Sequence, residues 1–117
     1  QWSSSAASDV YKRQIHNLIE ITQLESLIKE CDIIITGEGK IDLQTEKGKV
    51  ISGICKLARK YKKPIIAVCG VKEEGVSNKL GLSKVYTILE IADSINDATK
   101  NGEKYLIEIG SKILTDL

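Results

Sequence analysis

The sequence has little of three things that several classes of protein require: histidine, net charge and long apolar runs. Its one histidine and three cysteines, among 117 residues, form no cluster with the spacing of zinc ligands. Its 17 basic residues are nearly matched by 16 acidic ones, so the chain lacks the basic field that attracts nucleic acid. No apolar run approaches the roughly 20 residues needed to cross a membrane. We therefore expect no zinc module, no nucleic-acid binding and no membrane span.

The three cysteines, Cys31, Cys55 and Cys69, are far apart in the chain. This arrangement fits a reducing compartment better than a disulfide framework, which favours a cytoplasmic protein. Each cysteine lies in or beside an apolar segment. We predict that all three are buried and behave as small apolar side chains.

The first fourteen residues differ in character from the rest of the chain. The run Ser4-Ser-Ala-Ala-Ser-Asp-Val-Tyr-Lys-Arg-Gln14 can be encoded by a nucleotide string that resembles a transposon-type sequencing adapter read in frame. We interpret residues 1–14 as a non-native, disordered tail and residues 15–117 as the native part; a natural polar tail is the alternative. The tail holds two of the basic residues and one of the acidic residues, so the native part carries 15 of each and is neutral.

From residue 15 onward, apolar residues alternate between a helical and a strand-like spacing. Leu24, Leu27 and Ile28, for example, follow the i, i+3, i+4 pattern of a helix face. Short and nearly continuous apolar runs indicate strands that are covered on both faces. The predicted strands span residues 32–36, 65–69 and 84–89, and the predicted helices span 15–30 with a break near 22–23, 46–61, a short segment ending near Gly81, and 93–117.

The predicted strands are joined by segments that contain helices and are too long for hairpins. Such alternation implies right-handed crossovers and a parallel sheet. We therefore predict an α/β, three-layer Rossmann- or flavodoxin-like fold, with a parallel sheet of about three strands that is part of a larger domain. The strand at residues 33–35 is expected to lack a neighbour on one side, and an open apolar edge favours self-association.

The segment richest in polar chemistry follows the first predicted strand. Gly37 and Gly39 predict a Gly-x-Gly turn, and Lys49 lies in the helix that comes after it. Acidic, amide and hydroxyl side chains occur in and after this turn, namely Glu38, Asp42, Gln44 and Thr45. A strand, a glycine-rich turn and a helix bring ligands to the carboxyl edge of a parallel sheet, where a helix N-terminus favours anions.

Two general nucleotide-binding motifs nearly match this segment and fail. A dinucleotide fingerprint needs a glycine where Asp42 stands, and a Walker A loop needs one where Leu43 stands. Two interpretations remain open at this point. In the first, Glu38 is a solvated acid, Asp42 caps the next helix, and Lys40 and Lys49 are surface lysines. In the second, the carboxylates bind a Mg²⁺–nucleotide and orient a small hydroxy acid, while the lysines neutralise phosphate charge.

The segment Thr36-Gly-Glu-Gly-Lys-Ile-Asp-Leu-Gln-Thr-Glu-Lys-Gly-Lys49 resembles the T-G-E-G-(R/K)-x-D-x-Q-(S/T)-x-x-G-K signature of the bacterial glycerate kinase family (type I). The run Ala58-Arg-Lys-Tyr-Lys-Lys-Pro-Ile-Ile-Ala-Val-Cys-Gly70 is similar to the family's A-K-(R/K)-(Y/H)-x-K-P-V-I-A-(I/L)-A-G. The resemblance covers residues 15–117. One departure is Gly70-Val71, where the family pattern has Gly-Ser.

The resemblance implies a kinase that uses ATP and Mg²⁺ to phosphorylate D-glycerate, with its active site between two α/β domains. It implies that this chain is the C-terminal part of the larger domain and is inactive without the missing N-terminal part of the same enzyme. Asp42 and Glu38 are the implied catalytic residues, and Asp42 is the implied metal ligand. The implied substrate- or nucleotide-binding residues are Thr36, Gly37, Gly39, Lys40, Gln44, Thr45, Lys49 and Gly70. The alternative is a free-standing flavodoxin-like regulatory module that binds a cation or another ligand.

Overall fold

A computed structural model describes residues 23–42 and 46–117 together with Val10 and Lys12; the side chains of residues 46–49 lie outside this description. Its centre is a sheet of three parallel strands in the order β1-β2-β3, namely β1 (Ile34–Ile41), β2 (Ile65–Lys72) and β3 (Lys84–Thr87). Ile34 lies opposite Ile65, and Ile66 lies opposite Lys84. The predicted parallel sheet is confirmed. The predicted tail and the helix before residue 23 fall almost entirely outside the described residues.

Helices make the connections in the described part of the chain. They are α1 (Leu24–Glu30), α2 (Glu46–Lys60), α3 (Val76–Leu80), α4 (Ile95–Lys100) and α5 (Gly102–Asp116). None of these helices is both long enough and apolar enough to cross a membrane.

Each face of the sheet is covered by a separate apolar cluster. The first cluster, here called the α2 cluster, contains Ile51, Cys55 and Ala58 of α2, packed with alternate residues of β2 that include Ile65 and Ala67. The second cluster, the α5 cluster, contains Ile109 and Ile113 of α5, packed with Ile66 and Tyr86. Successive side chains of a strand point to opposite faces, so β2 supplies both clusters. The result is the predicted three-layer arrangement of helix, sheet and helix.

The end of α2 sets the start of the sheet. Lys62 has a positive φ of 54°, and the N–H of Lys63 donates to the carbonyl of Ala58 at 2.8 Å. Pro64 cannot continue the helix. Its carbonyl oxygen instead accepts a hydrogen bond from Ile34 N at 2.9 Å, which aligns the beginning of β1 with the beginning of β2.

The predicted Gly-x-Gly turn at Gly37 and Gly39 is wrong, because β1 runs through it to Ile41. The reason is tertiary, since β2 also continues past its predicted end, to Lys72. Lys40 therefore lies opposite Val71, and Ile41 lies opposite Lys72. Glycine weakens a strand but does not stop one that has a paired neighbour. The polar segment therefore starts within β1, which is an edge strand of the described sheet, and Asp42 is the first residue after that strand.

Two other predicted boundaries differ from the structure. β3 ends at Thr87, although Ile88 and Leu89 still donate backbone hydrogen bonds to β2 before the chain turns back on itself. The last predicted helix is divided at Asn101 into α4 and α5, and Gly102 follows directly. Glycine has a low helix propensity, which makes this the weakest point of the segment.

The cysteines agree only partly with the prediction that all are buried. Cys55 and Cys69 are buried free thiols. Cys31 is half-buried, because it lies at the exposed C-terminal end of α1, where its Sγ donates to the carbonyl of Ile28 at 3.2 Å. The prediction is therefore wrong for Cys31.

Candidate active site

A pocket of about 320 Å³ lies at the carboxyl end of the sheet. Its described walls come from the ends of β1 and β2, from the two residues that follow β3 and from one face of α4. Among the residues that the structure describes, most of the lining groups are apolar and none is charged; they are Gly39, Gly70, Val71, Ile88, Leu89, Ile95, Ala98 and Thr99. The carboxyl edge of a parallel sheet is where α/β proteins usually bind ligands.

The close approach of β1 and β2 shapes one side of this pocket. The register that pairs Glu38 with Cys69 and Lys40 with Val71 brings Gly39 beside Gly70. A Cβ atom on Gly70 would lie only 2.8 Å from the carbonyl oxygen of Gly39, so a larger residue would push the strands apart. A Cβ atom on Gly39 would meet nothing within 4 Å, because it would point into open space.

The walls formed by Ile88 and Leu89 are held by backbone hydrogen bonds. Ile88 N donates to the carbonyl of Cys69 at 2.9 Å, and Leu89 N donates to the carbonyl of Gly70 at 3.1 Å. The chain then turns sharply, since Ala92 N donates back to the carbonyl of Ile88 at 2.9 Å. Two apolar side chains are therefore fixed directly beyond the end of β3.

Glu38 lies on the face of the sheet that α2 covers, not on the face that α5 covers. It is paired with Cys69 of β2, which is in turn paired with Thr87 of β3. Paired residues of a parallel sheet project to the same face. Cys69 is packed in the α2 cluster, and burial raises the pKa of its thiol to about 11, with a smaller opposing effect from Lys72. The hydroxyl of Thr87 is buried and has no hydrogen-bond partner among the described residues, which is unusual for a buried polar group.

Asp42 lies directly after β1 and its carboxylate is largely buried. Lys40 Nζ is 3.7 Å from Asp42 Oδ2, with the lysine side chain 64% exposed and the aspartate side chain 10% exposed. α2 begins at Glu46, four residues after Asp42, so Asp42 lies outside the first turn of that helix. The described residues contain no cluster of three histidine, cysteine or acidic side chains that could hold a metal ion by themselves.

The structure brings together only some of the residues implied by the sequence. Six of them lie on β1 or directly after it, namely Thr36, Gly37, Glu38, Gly39, Lys40 and Asp42. Of these six, Gly39 lines the pocket, together with Gly70 of β2. Gln44 and Thr45 lie outside the described residues, and so does the side chain of Lys49.

The apolar half of the pocket was not found by sequence reasoning. Ile88, Leu89, Ile95, Ala98 and Thr99 carry no distinctive chemistry, and an apolar residue near a strand end is normally assigned to the core. The available signal was the apolar pair that follows β3 just before a turn-rich segment. Ile95 gave a second signal, because it is an isoleucine at the first position of a short polar helix.

A sequence description of the glycerate kinase family matches residues 6–117, which is nearly the whole chain. The chain belongs to the glycerate kinase family. The recognition made from the T-G-E-G segment is confirmed. The family match begins inside residues 1–14, so it also overlaps the segment that resembles an adapter translation.

Several relatives carry the same family name. The chain is 32% identical over 97 residues to the glycerate kinase of Bacillus subtilis (strain 168), covering 81% of this chain and 25% of that protein. It is 32% identical over 104 residues to the glycerate kinase of Haemophilus influenzae (strain ATCC 51907), covering 87% of this chain and 28% of that protein. It is 38% identical over 77 residues to the glycerate 2-kinase of Escherichia coli (strain K12), covering 64% of this chain and 20% of that protein. The chain thus spans about a quarter of the length of these curated relatives.

Proposed function

We propose that this chain is part of an enzyme that transfers a phosphoryl group from ATP to D-glycerate with the help of Mg²⁺. The observation that carries the proposal is the family match over residues 6–117. The relatives named glycerate kinase support the substrate class. The enzyme is a cytoplasmic transferase in this proposal, which agrees with the free thiols of Cys55 and Cys69.

Asp42 supplies one largely buried carboxylate, which is the kind of ligand that magnesium uses. Magnesium is usually held by one or two carboxylates together with phosphate oxygens and water, so a cluster of three protein ligands is not required. In our proposal Asp42 holds the ion or orients the reacting hydroxyl group of glycerate, and Glu38 is the second catalytic acid. The ion, when bound, neutralises charge on the phosphates during transfer.

The glycines and the lysine of β1 have complementary roles in the proposal. Gly37 and Gly39 leave the backbone of the edge strand open to a ligand, and Lys40 is exposed and able to attract phosphate oxygens. Thr36 and Gly70 lie beside these residues and belong to the same proposed binding set. The family resemblance adds Gln44, Thr45 and Lys49 to the same binding set.

The chain alone is expected to be inactive in this proposal. Phosphoryl transfer depends on positioning and electrostatic stabilisation by a complete set of surrounding groups. A chain that spans about a quarter of its relatives' length supplies only part of that set. The enzyme translated from the complete reading frame is the material for the decisive test.

The test replaces Asp42 by Asn in that enzyme. If the carboxylate holds the metal or orients the hydroxyl, turnover of D-glycerate at saturating Mg²⁺–ATP should fall by roughly 10²-fold or more. The melting temperature should barely change, because asparagine keeps the size of the aspartate side chain, and the pair that Asp42 makes with the exposed Lys40 contributes little stability. Turnover is measured by ADP release.

The matched control is Asp32→Asn. Asp32 is exposed and lies before β1, at the opposite end of the strand from Asp42. This control should keep the turnover of the unaltered enzyme. Near-normal turnover in Asp42→Asn would remove Asp42 from the catalytic machinery. Absence of D-glycerate phosphorylation by the unaltered enzyme would overturn the proposed function.

A further inference from the structure

We propose that the apolar pocket at the carboxyl end of the sheet binds the adenine base of ATP. This inference rests on the proposed function, because it assigns one part of the ATP molecule to one part of the site. It separates the pocket, which takes the base, from the neighbourhood of Asp42, which takes the phosphates and the metal ion.

The chemistry of the lining selects the base over the other ligand groups. Val71, Ile88 and Leu89 provide apolar walls, and none of the lining residues that the structure describes carries a charge. A phosphate or the carboxylate of glycerate would lose its hydration there and gain no opposite charge in return. A flat aromatic base has large apolar faces, and its transfer into such a pocket is favourable.

The size of the pocket is also appropriate. Its volume of about 320 Å³ lies near the lower end of the range for small-molecule sites, which is roughly 300–1,000 Å³. Such sites typically combine apolar walls with a few polar groups that fix orientation. A single base with part of its sugar therefore suits the pocket better than a complete nucleotide.

Thr99 is the one polar side chain among the described residues that line the pocket. Its Oγ1 donates a hydrogen bond to the carbonyl of Ile95 at 3.0 Å, which engages the hydroxyl hydrogen. The oxygen keeps lone pairs that can accept another hydrogen bond. An exocyclic amino group, as adenine has, is a donor that matches this acceptor.

The separation between the pocket and Asp42 suits the remainder of the nucleotide. Gly39 lines the pocket, and Asp42 lies three residues further along the chain, which corresponds to about 10 Å of extended strand. Gly39 has no side chain to obstruct the path between them. A base in the pocket therefore allows the ribose and phosphates to pass over the end of β1 towards Asp42.

The first experiment uses the purified chain labelled with ¹⁵N and two probes, adenosine and inorganic triphosphate with Mg²⁺. Adenosine is uncharged, so it reports on the base and sugar without the phosphates. We expect adenosine to shift the amide signals of Gly39, Gly70, Val71, Ala98 and Thr99. Triphosphate should leave the signals of Ala98 and Thr99 unchanged. Adenosine shifts confined to other residues, or no shifts at all, would overturn the proposal.

A matched pair of variants tests the same point. Ile95 lines the pocket and is 72% exposed, whereas Ile107 of α5 is 67% exposed and does not line it. Ile95→Asp should weaken adenosine binding by about tenfold or more, because it brings a charge to an apolar wall. Ile107→Asp should leave binding unchanged. Equal effects of the two variants would contradict the assignment.

The same variants in the complete enzyme give an independent measurement that does not require the isolated chain to fold. Ile95→Asp should raise KM for ATP by about tenfold while KM for D-glycerate stays constant, and Ile107→Asp should change neither. A rise in KM for D-glycerate with constant KM for ATP would overturn the base assignment and leave the kinase proposal intact. Conversely, adenosine binding at the pocket in an enzyme that does not phosphorylate D-glycerate would refute the proposed function alone.

Discussion

Replacement of Gly70 by alanine tests the strand contact on which the pocket depends. The added Cβ would lie 2.8 Å from the carbonyl oxygen of Gly39, which is backbone and cannot rotate away. Relief requires β1 and β2 to separate locally, and overpacking of this kind costs about 1–3 kcal/mol. The gain from reduced freedom of the unfolded chain is about 0.4–1 kcal/mol. We expect a net loss of about 1–2 kcal/mol, which lowers the melting temperature of a domain of this size by roughly 4–16 °C.

The assay is thermal unfolding of the purified chain, followed by far-ultraviolet circular dichroism. The matched control is Gly39→Ala, on the facing strand, where a Cβ meets nothing within 4 Å. This control should be as stable as the original chain or slightly more stable, because it gains the unfolded-state term without the clash. Equal melting temperatures for Gly70→Ala and Gly39→Ala would refute the reasoning from the close approach of the two strands.

The remaining predictions concern thiol reactivity and the dependence of stability on pH. Cys31 is half-buried and should react first with an aromatic disulfide reagent. Burial raises the pKa values of the Cys55 and Cys69 thiols to about 11, so these two should react only when the chain unfolds. Equal reaction rates of the three thiols in native buffer would contradict this prediction. The hydrogen bond from the Tyr105 hydroxyl to Asp97 lowers the pKa of Asp97 and raises that of Tyr105 to about 12. The stability that this bond contributes is therefore lost as pH rises from about 10 to 12, and also as pH falls below about 4. In chemical denaturation at a series of pH values, Tyr105→Phe should weaken both losses. An unchanged pH dependence of stability in this variant would contradict the prediction.

The types of the helices and strands were predictable from the sequence, but their lengths were less so. Alternating periods identified three strands and the helices between them, because the side-chain spacing of a strand and that of a helix are local properties of the chain. The boundary of β1 was misplaced, because Gly37 and Gly39 read as a turn. Their strand conformation comes from pairing with β2, and a sequence pattern does not reveal where a partner strand continues.

The candidate site was also predictable only in part. Glu38 and Asp42 were identified from their residue types and from the family signature, and both lie on or directly after β1. The apolar walls at Ile88, Leu89 and Ile95 were missed, because such residues become a pocket only when separate segments meet. Composition distinguishes a core residue from a pocket residue poorly, since both are apolar.

The sequence by itself determined the order of helices and strands, the polar segment after the first strand and membership of the glycerate kinase family. Each of these depends on residue types at short spacing, and short spacing is preserved in any fold of the chain. Only the tertiary structure decided that Gly39 and Gly70, 31 residues apart, touch at the carboxyl edge of the sheet. It also decided that α4 closes a pocket over them. These contacts follow from the register of parallel strands joined by crossovers, which local periodicity does not specify.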